Sequence, residues 1–220
     1  MRKGNLGIIL LFGMTAACGT TGVETIPEYR EDYALMNLGP DTNVQVEVTG
    51  QSKGNPPVWI KYSWVLGKDN KDNKVIYISV FSKSSMPLTE SSIKTPEETA
   101  QIMKAVEMFT RDKLEEVKAE VKIDDAKLTP ILDKWVLSLS QQVAASYAIN
   151  VENYWEKMKI TAPGVTGEYY RIYKRYMIDF SYYSERATKV WDEVSAKTPD
   201  DLKSKGTVIV YKIIMPASQN

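Results

Sequence analysis

Residues 168–194 read EYYRIYKRYMIDFSYYSERATKVWDEV, and two different periods fit them. As a strand, Tyr170, Ile172, Tyr176 and Ile178 share one face, interrupted by Lys174, while Tyr169, Arg171, Tyr173 and Arg175 share the other. As a helix, Ile172, Tyr176, Phe180, Tyr183, Ala187, Val190 and Val194 keep steps of four or three throughout. A helix repeats every 3.6 residues and a strand every two, so this choice decides whether the chain has a sheet-centred or an all-helical second half. The density of tyrosine and isoleucine before Ile178 favours a strand, because bulky and β-branched side chains fit a pleated surface. The reading is therefore a strand to about Ile178, then a helix from about Tyr182 to Ala196, with one long helix as the alternative.

Upstream, the pattern supports a sheet. NVQVEVTG (43–50) alternates, with Val44, Val46 and Val48 on one face. PPVWIKYSWVLG (56–67) alternates with Val58, Ile60, Tyr62, Trp64 and Leu66 on one side, after prolines that cannot sit inside a sheet. KDNKDNK (68–74) is polar turn material, and VIYISVFSK (75–83) is a third strand with Ile76, Ile78 and Val80 inward. The second and third strands make a hairpin.

Two helices follow. Thr95 is placed as an N-cap, with Pro96 at the first helical position and Glu98 closing a capping box. Met103, Val106, Leu114, Val117 and Val121 then recur at helical spacing. A second start stands at Thr129–Pro130, with Leu132, Trp135, Leu139 and Val143 as its apolar stripe. NVENYWEKMKI (150–160) reads as extended, APGVTG (162–167) as a turn, and GTVIVYKIIM (206–215) as a last strand with Ile209, Tyr211 and Ile213 on one face. The expected fold is α+β: an antiparallel or mixed sheet with helices packed on one face, forming a single domain over residues 43–220.

The N-terminus addresses location. Arg2 and Lys3 precede a short apolar run, Leu6 to Met14, and small residues lead to Cys18, the only cysteine in 220 residues. A basic start, a short apolar segment and small residues form a secretory signal. The run is shorter than the ~20 residues a membrane-spanning helix needs. Residues 1–17 are thus expected to be a removed signal peptide, and residues 18–42 a lipidated cysteine followed by a flexible tether. The segment Thr15–Ala16–Ala17–Cys18 resembles the lipobox of bacterial lipoproteins, with threonine where leucine is preferred. That resemblance implies diacylglycerol and palmitate on Cys18, and several acyl chains hold a protein to a membrane where one is marginal. Gly19, in place of aspartate, points to the outer membrane by the enteric sorting rule.

Composition excludes several functions. The chain has 28 basic and 28 acidic residues; without Arg2 and Lys3 the acidic residues are in excess by two. Nucleic-acid binders leave a basic footprint, and none is present. There is no histidine, so the commonest general base and metal ligand is missing, and Ser-His-Asp and Cys-His catalysis with it. No cofactor or metal site is expected. The acid-rich KDNKDNK stretch has neither the alternation nor the glycine of a calcium loop. The paired acids Glu97–Glu98, Glu115–Glu116, Asp124–Asp125 and Asp200–Asp201 are neighbours in sequence, suited to capping or solvation.

The Tyr169, Arg171, Tyr173, Arg175 ladder is the one stretch suited to an envelope glycan or an anionic headgroup, since tyrosine rings stack on sugars and arginine forks bind phosphate. The competing reading packs the tyrosines inside with the arginines at the rim.

The leader, together with Pro57–Val58–Trp59–Ile60, resembles the bacterial 20-kDa outer-membrane lipoprotein family. In that resemblance Val75–Phe81, Thr95–Tyr147 and Tyr169–Ile178 stand for the family's strand, helical region and late strand, over about residues 55–195. SKSSMPLTESS (82–92) replaces the alanine and glycine usual there. The resemblance implies an envelope lipoprotein and brings no catalytic residues.

The expected function is a non-catalytic, membrane-anchored scaffold that binds an envelope protein or glycan. The alternative is a carrier or sensor of an apolar or anionic ligand in a pocket between sheet and helices near the ladder. A glycan hydrolase using carboxylates alone would require two buried acids facing each other roughly 5–9.5 Å apart.

Overall fold

The computed structural model describes residues 45–85, 94–123 and 125–215. Cys18 and the expected tether lie outside the described residues.

Five antiparallel strands form one sheet: β1 (Gln45–Gln51), β2 (Trp64–Lys68), β3 (Lys74–Ser84), β4 (Ile149–Ala162) and β5 (Val165–Asp179). Their spatial order is β1-β4-β5-β3-β2, with β5 at the centre. Four helices complete the α+β domain: α1 (Pro96–Val121), α2 (Thr129–Ser146), α3 (Phe180–Ser195) and α4 (Asp200–Ile214).

The ambiguous stretch divides as the strand reading expects, with the helix starting two residues earlier. Asp179 is the N-cap of α3: its carboxylate accepts from the Ser181 backbone N–H at 2.7 Å. That bond fixes the switch from period two to period 3.6. β4 and β5 meet across Pro163 and Gly164, and Gly164 takes φ +77°, which glycine adopts without a Cβ penalty.

The helices cover one face of the sheet. Ile76, Ile78 and Val80 of β3 and Tyr176 and Ile178 of β5 join Ile102, Val106, Phe109, Trp135 and Tyr183 from the helices in one apolar core. Trp64 and Phe109 pack edge to face at 5.1 Å, and Phe109 and Tyr183 at 5.4 Å. Two buried donors find partners here: Trp135 Nε1 donates to the Ala187 carbonyl at 2.9 Å, and the Tyr183 hydroxyl bonds Thr110 Oγ1 at 2.9 Å.

Helix α1 is fastened at its start. The Thr95 hydroxyl accepts from the Glu98 N–H at 3.1 Å, and the Glu98 carboxylate accepts from the Thr95 N–H at 3.2 Å, closing the expected capping box. One turn later Gln101 replaces a missing strand. Its side-chain amide donates to the Phe81 carbonyl at 2.7 Å and accepts from the Phe81 N–H at 2.9 Å. β2 pairs with β3 only as far as Ile78, so this backbone edge would otherwise lack its ladder bonds.

Two expectations are corrected. GTVIVYKIIM is the second half of helix α4 rather than a strand. Its β-branched run mimics a strand locally, but Leu202, Gly206, Ile209, Val210 and Ile213 are buried at helical spacing, while Tyr211 is 46% exposed. Asp200 and Asp201 lie in the first turn, where carboxylates favour the positive end of the helix. The second strand is also shorter than read. Val58–Lys61 form a 3₁₀ turn, Val58 faces solvent, and pairing begins only at Trp64. The prolines before it set the chain into a turn rather than into a strand.

At Gly206 α4 packs closely against Trp191 of α3. A Cβ there would meet Trp191 ring carbons at 2.2 and 2.4 Å. Trp191 is itself fixed by its Nε1 donating to Thr207 Oγ1 at 2.9 Å. In an open helix Gly→Ala stabilises by up to about 1 kcal/mol. Here Gly206→Ala should destabilise by about 1–3 kcal/mol through overpacking, read as a lower urea midpoint at unchanged slope. A stabilised variant would contradict the close contact.

Candidate functional site

The ladder does share one face of β5, and it is the face turned away from the helices. The register pairs Tyr173 with Tyr154, Arg171 with Glu156 and Tyr169 with Met158 on β4, and Ser79 of β3 with Arg175. Tyr169 belongs to a small apolar cluster with Met158 and Ile160, against which Val46 of β1 packs. Tyr173 lies between two rings, with Phe81 at 5.1 Å and Tyr154 at 5.9 Å.

Three of the four ladder residues are closed to solvent: Tyr169 and Arg171 at 4% exposure and Tyr173 at 3%. The tyrosines are buried, as the packing reading expects, but Arg171 is buried with them instead of lying at the rim. Its guanidinium faces the Glu156 carboxylate at 4.0 Å. The Tyr154 hydroxyl donates to the same carboxylate at 3.1 Å. Burial, reinforced by the Glu156 charge, pushes the Tyr154 phenol well above its ordinary range, so it remains a donor at physiological pH.

Only Arg175 reaches open space. Its guanidinium stacks over Tyr77 at 3.9 Å and faces Glu152 at 3.6 Å. Lys53 donates a second charge-assisted bond to Glu152. Burial pushes the Glu152 carboxyl up, but Lys53, the Trp59 indole and Arg175 outweigh it and hold the group below the usual range. Tyr77, Glu152 and Arg175 border a groove of about 400 Å³ with Asp69 and Met177. Asp69 faces inward to its own turn: its carboxylate accepts from the Lys71 and Asn73 backbone N–H groups at 2.8 and 2.9 Å and from the Asn73 side chain at 3.0 Å.

The opposite face of β5 holds a second polar centre that the sequence reading did not anticipate. Glu98 is 3% exposed and pairs with Lys174 Nζ at 2.6 Å. It also accepts from the Tyr176 hydroxyl at 2.9 Å. Burial and the bond to Glu98 raise the Tyr176 phenol well above its ordinary range. The available signal was Lys174 itself, a cation interrupting the apolar face of a strand, which demands a buried acid. Glu98 and Glu156 are therefore both buried but lie on opposite faces of the sheet, and they do not form a facing pair. Among the described residues no group of three acids, cysteines or histidines converges, and no helix is long and apolar enough to cross a membrane.

A pocket bordered by both sheet and helices stands apart from the ladder. It lies at the other end of β3, beside Leu66, Lys74 and Phe109. The alternation that puts Ile76, Ile78 and Ile178 under the helices puts the ladder on the far side of the sheet.

Comparison with protein-family models, curated proteins and solved structures finds no match to this chain.

Glu152 supports a pH prediction. A carboxyl held low in the folded state contributes stability above its unfolded value, and that contribution disappears as pH falls through the folded value. Glu152→Gln should cost about 0.5–1 kcal/mol at neutral pH, a size set by its partial exposure, and the gap to wild type should close below about pH 4. Urea unfolding across pH checks this; a gap independent of pH would contradict the ion-pair assignment.

Proposed function

We propose that the chain is a lipid-anchored protein of a bacterial envelope, held through Cys18 and acting by binding or scaffolding another envelope component. The observation that carries the reading is the leader: Arg2 and Lys3, a short apolar run, and Thr15–Ala16–Ala17 immediately before the only cysteine. The resemblance to the 20-kDa outer-membrane lipoproteins belongs to this proposal, and with it placement in the outer membrane.

The chemistry of the domain supports binding over catalysis. The chain has no histidine. Glu98 has Lys174, Tyr176 and the Thr95 N–H for partners, and Glu156 has Arg171 and Tyr154. A glycan hydrolase needs two carboxylates facing each other across a cleft, whereas Glu98 and Glu156 stand on opposite faces of the sheet.

Intact mass spectrometry of the protein purified from its native membrane tests the anchor. A mass beginning at Cys18 with an added diacylglyceryl group is expected. A free Cys18 thiol, or a retained leader, would overturn the reading.

A further inference from the structure

Between the end of the sheet and the helices lies a groove of about 450 Å³. That volume is within the 300–1,000 Å³ typical of small-ligand sites. Its apolar surface comes from Leu66 of β2, Phe109 and Val117 of α1, Phe180 of α3 and Ile213 of α4. Its charged groups are Lys74, Lys113 and Lys212, with Glu116 and Glu120.

The charges are not evenly placed. Lys113 pairs with Glu116 at 2.5 Å, the lysine side chain 22% exposed and the glutamate 65%. Lys212 pairs with Glu120, at 44% and 61% exposure. In both pairs the cation sits deeper than the acid. Lys74 has no carboxylate within ion-pair reach among the described residues, and its ammonium lies 4.0 Å over the Phe180 ring. Burial, and secondarily the charge of Lys113, depress its pKa. A half-buried ammonium next to another ammonium, both above an apolar floor, is an arrangement that an anion relieves. The ring gives Lys74 some compensation, but no counter-charge.

We propose that this groove binds a single-chain anionic amphiphile, its carboxylate on Lys74 and Lys113 and its hydrocarbon chain along Leu66, Phe109, Val117 and Ile213. The apolar floor requires a hydrocarbon, the deep cations require a negative head, and the exposed glutamates at the rim disfavour a second anionic group. A phosphate headgroup satisfies the same lysines less well, because its extra charge approaches Glu116. The site is independent of the anchor at Cys18, and each can fail without the other.

The test uses the full chain as purified from its native source, in the presence of phosphatidylcholine nanodiscs, and a lauric acid analogue with a photoreactive group in mid-chain. Saturable crosslinks are expected on peptides containing Phe109–Val117 and Ile209–Met215. Unlabelled lauric acid should displace them about tenfold more effectively than lauryl alcohol, the effect expected for a charge-assisted contact. Lys74→Met should reduce labelling by a similar factor, while Lys104→Met, on the exposed side of α1, should not. The alcohol comparison uses wild-type protein, so it stands even if Lys74→Met fails to fold. Equal displacement by the alcohol, labelling spread over exposed helix faces, or labelling that appears only after removal of residues 216–220 would each overturn the proposal. Equal displacement by lauryl phosphate would overturn the preference for a carboxylate.

Discussion

Lys174 stands on the helix-packed face of the central strand, and Glu98 is the carboxylate that makes this position tolerable. An unpaired ammonium buried on this face would cost several kcal/mol. The same carboxylate caps its own helix through the Thr95 N–H and accepts from Tyr176 on β5. One side chain thus joins the start of α1 to the middle of the sheet. With Gln101 bonding the backbone of β3 one turn later, α1 is fixed in position and direction. The other helices then pack on α1 and on one another, as the shared core of Trp135, Tyr183, Val190 and Ile209 shows.

β5 is enclosed on both faces, and the two faces do different work. The helix side is apolar apart from the Glu98–Lys174 centre. The far side carries tyrosine rings and ion pairs in register with β4, Arg171 opposite Glu156 and Tyr173 opposite Tyr154. A one-residue slip of β4 against β5 would turn Tyr154, Glu156 and Met158 to the helix side, away from Tyr173, Arg171 and Tyr169. The paired charges therefore reinforce the hydrophobic pattern in fixing the register. They also leave little reactive capacity, because each buried carboxylate already has a cation and a phenol for neighbours.

Much of this was legible in the sequence. Alternation placed β1 and β3, the density of tyrosine and isoleucine before Ile178 placed β5, the Thr95–Glu98 box placed α1, and the two faces of β5 were assigned correctly residue by residue. The failures have physical causes. GTVIVYKIIM looks like a strand within a ten-residue window, and only the burial of Leu202 and Gly206 at steps of four and three shows the helix. The Pro56–Pro57 pair produced a turn where alternation in the next residues imitated a strand. The ladder residues were identified, but their burial could not be read from β5 alone, since it depends on β4 and β1 lying alongside. The Glu98–Lys174 pair spans 76 positions, and no local period reports a contact at that separation. The groove at Lys74 is assembled from five elements and left no pattern in any one of them.

The dependence of the fold on Glu98 and Lys174 is tested most directly by a double-mutant cycle with Glu98→Gln and Lys174→Met in urea unfolding. If each charge is tolerable only because of the other, the single variants will each lose more stability than half the double variant loses. The coupling energy will then be at least about 1.5 kcal/mol. Additivity within about 0.5 kcal/mol would mean that the two charges do not depend on each other. The centre on which this account of α1 and β5 rests would then be wrong.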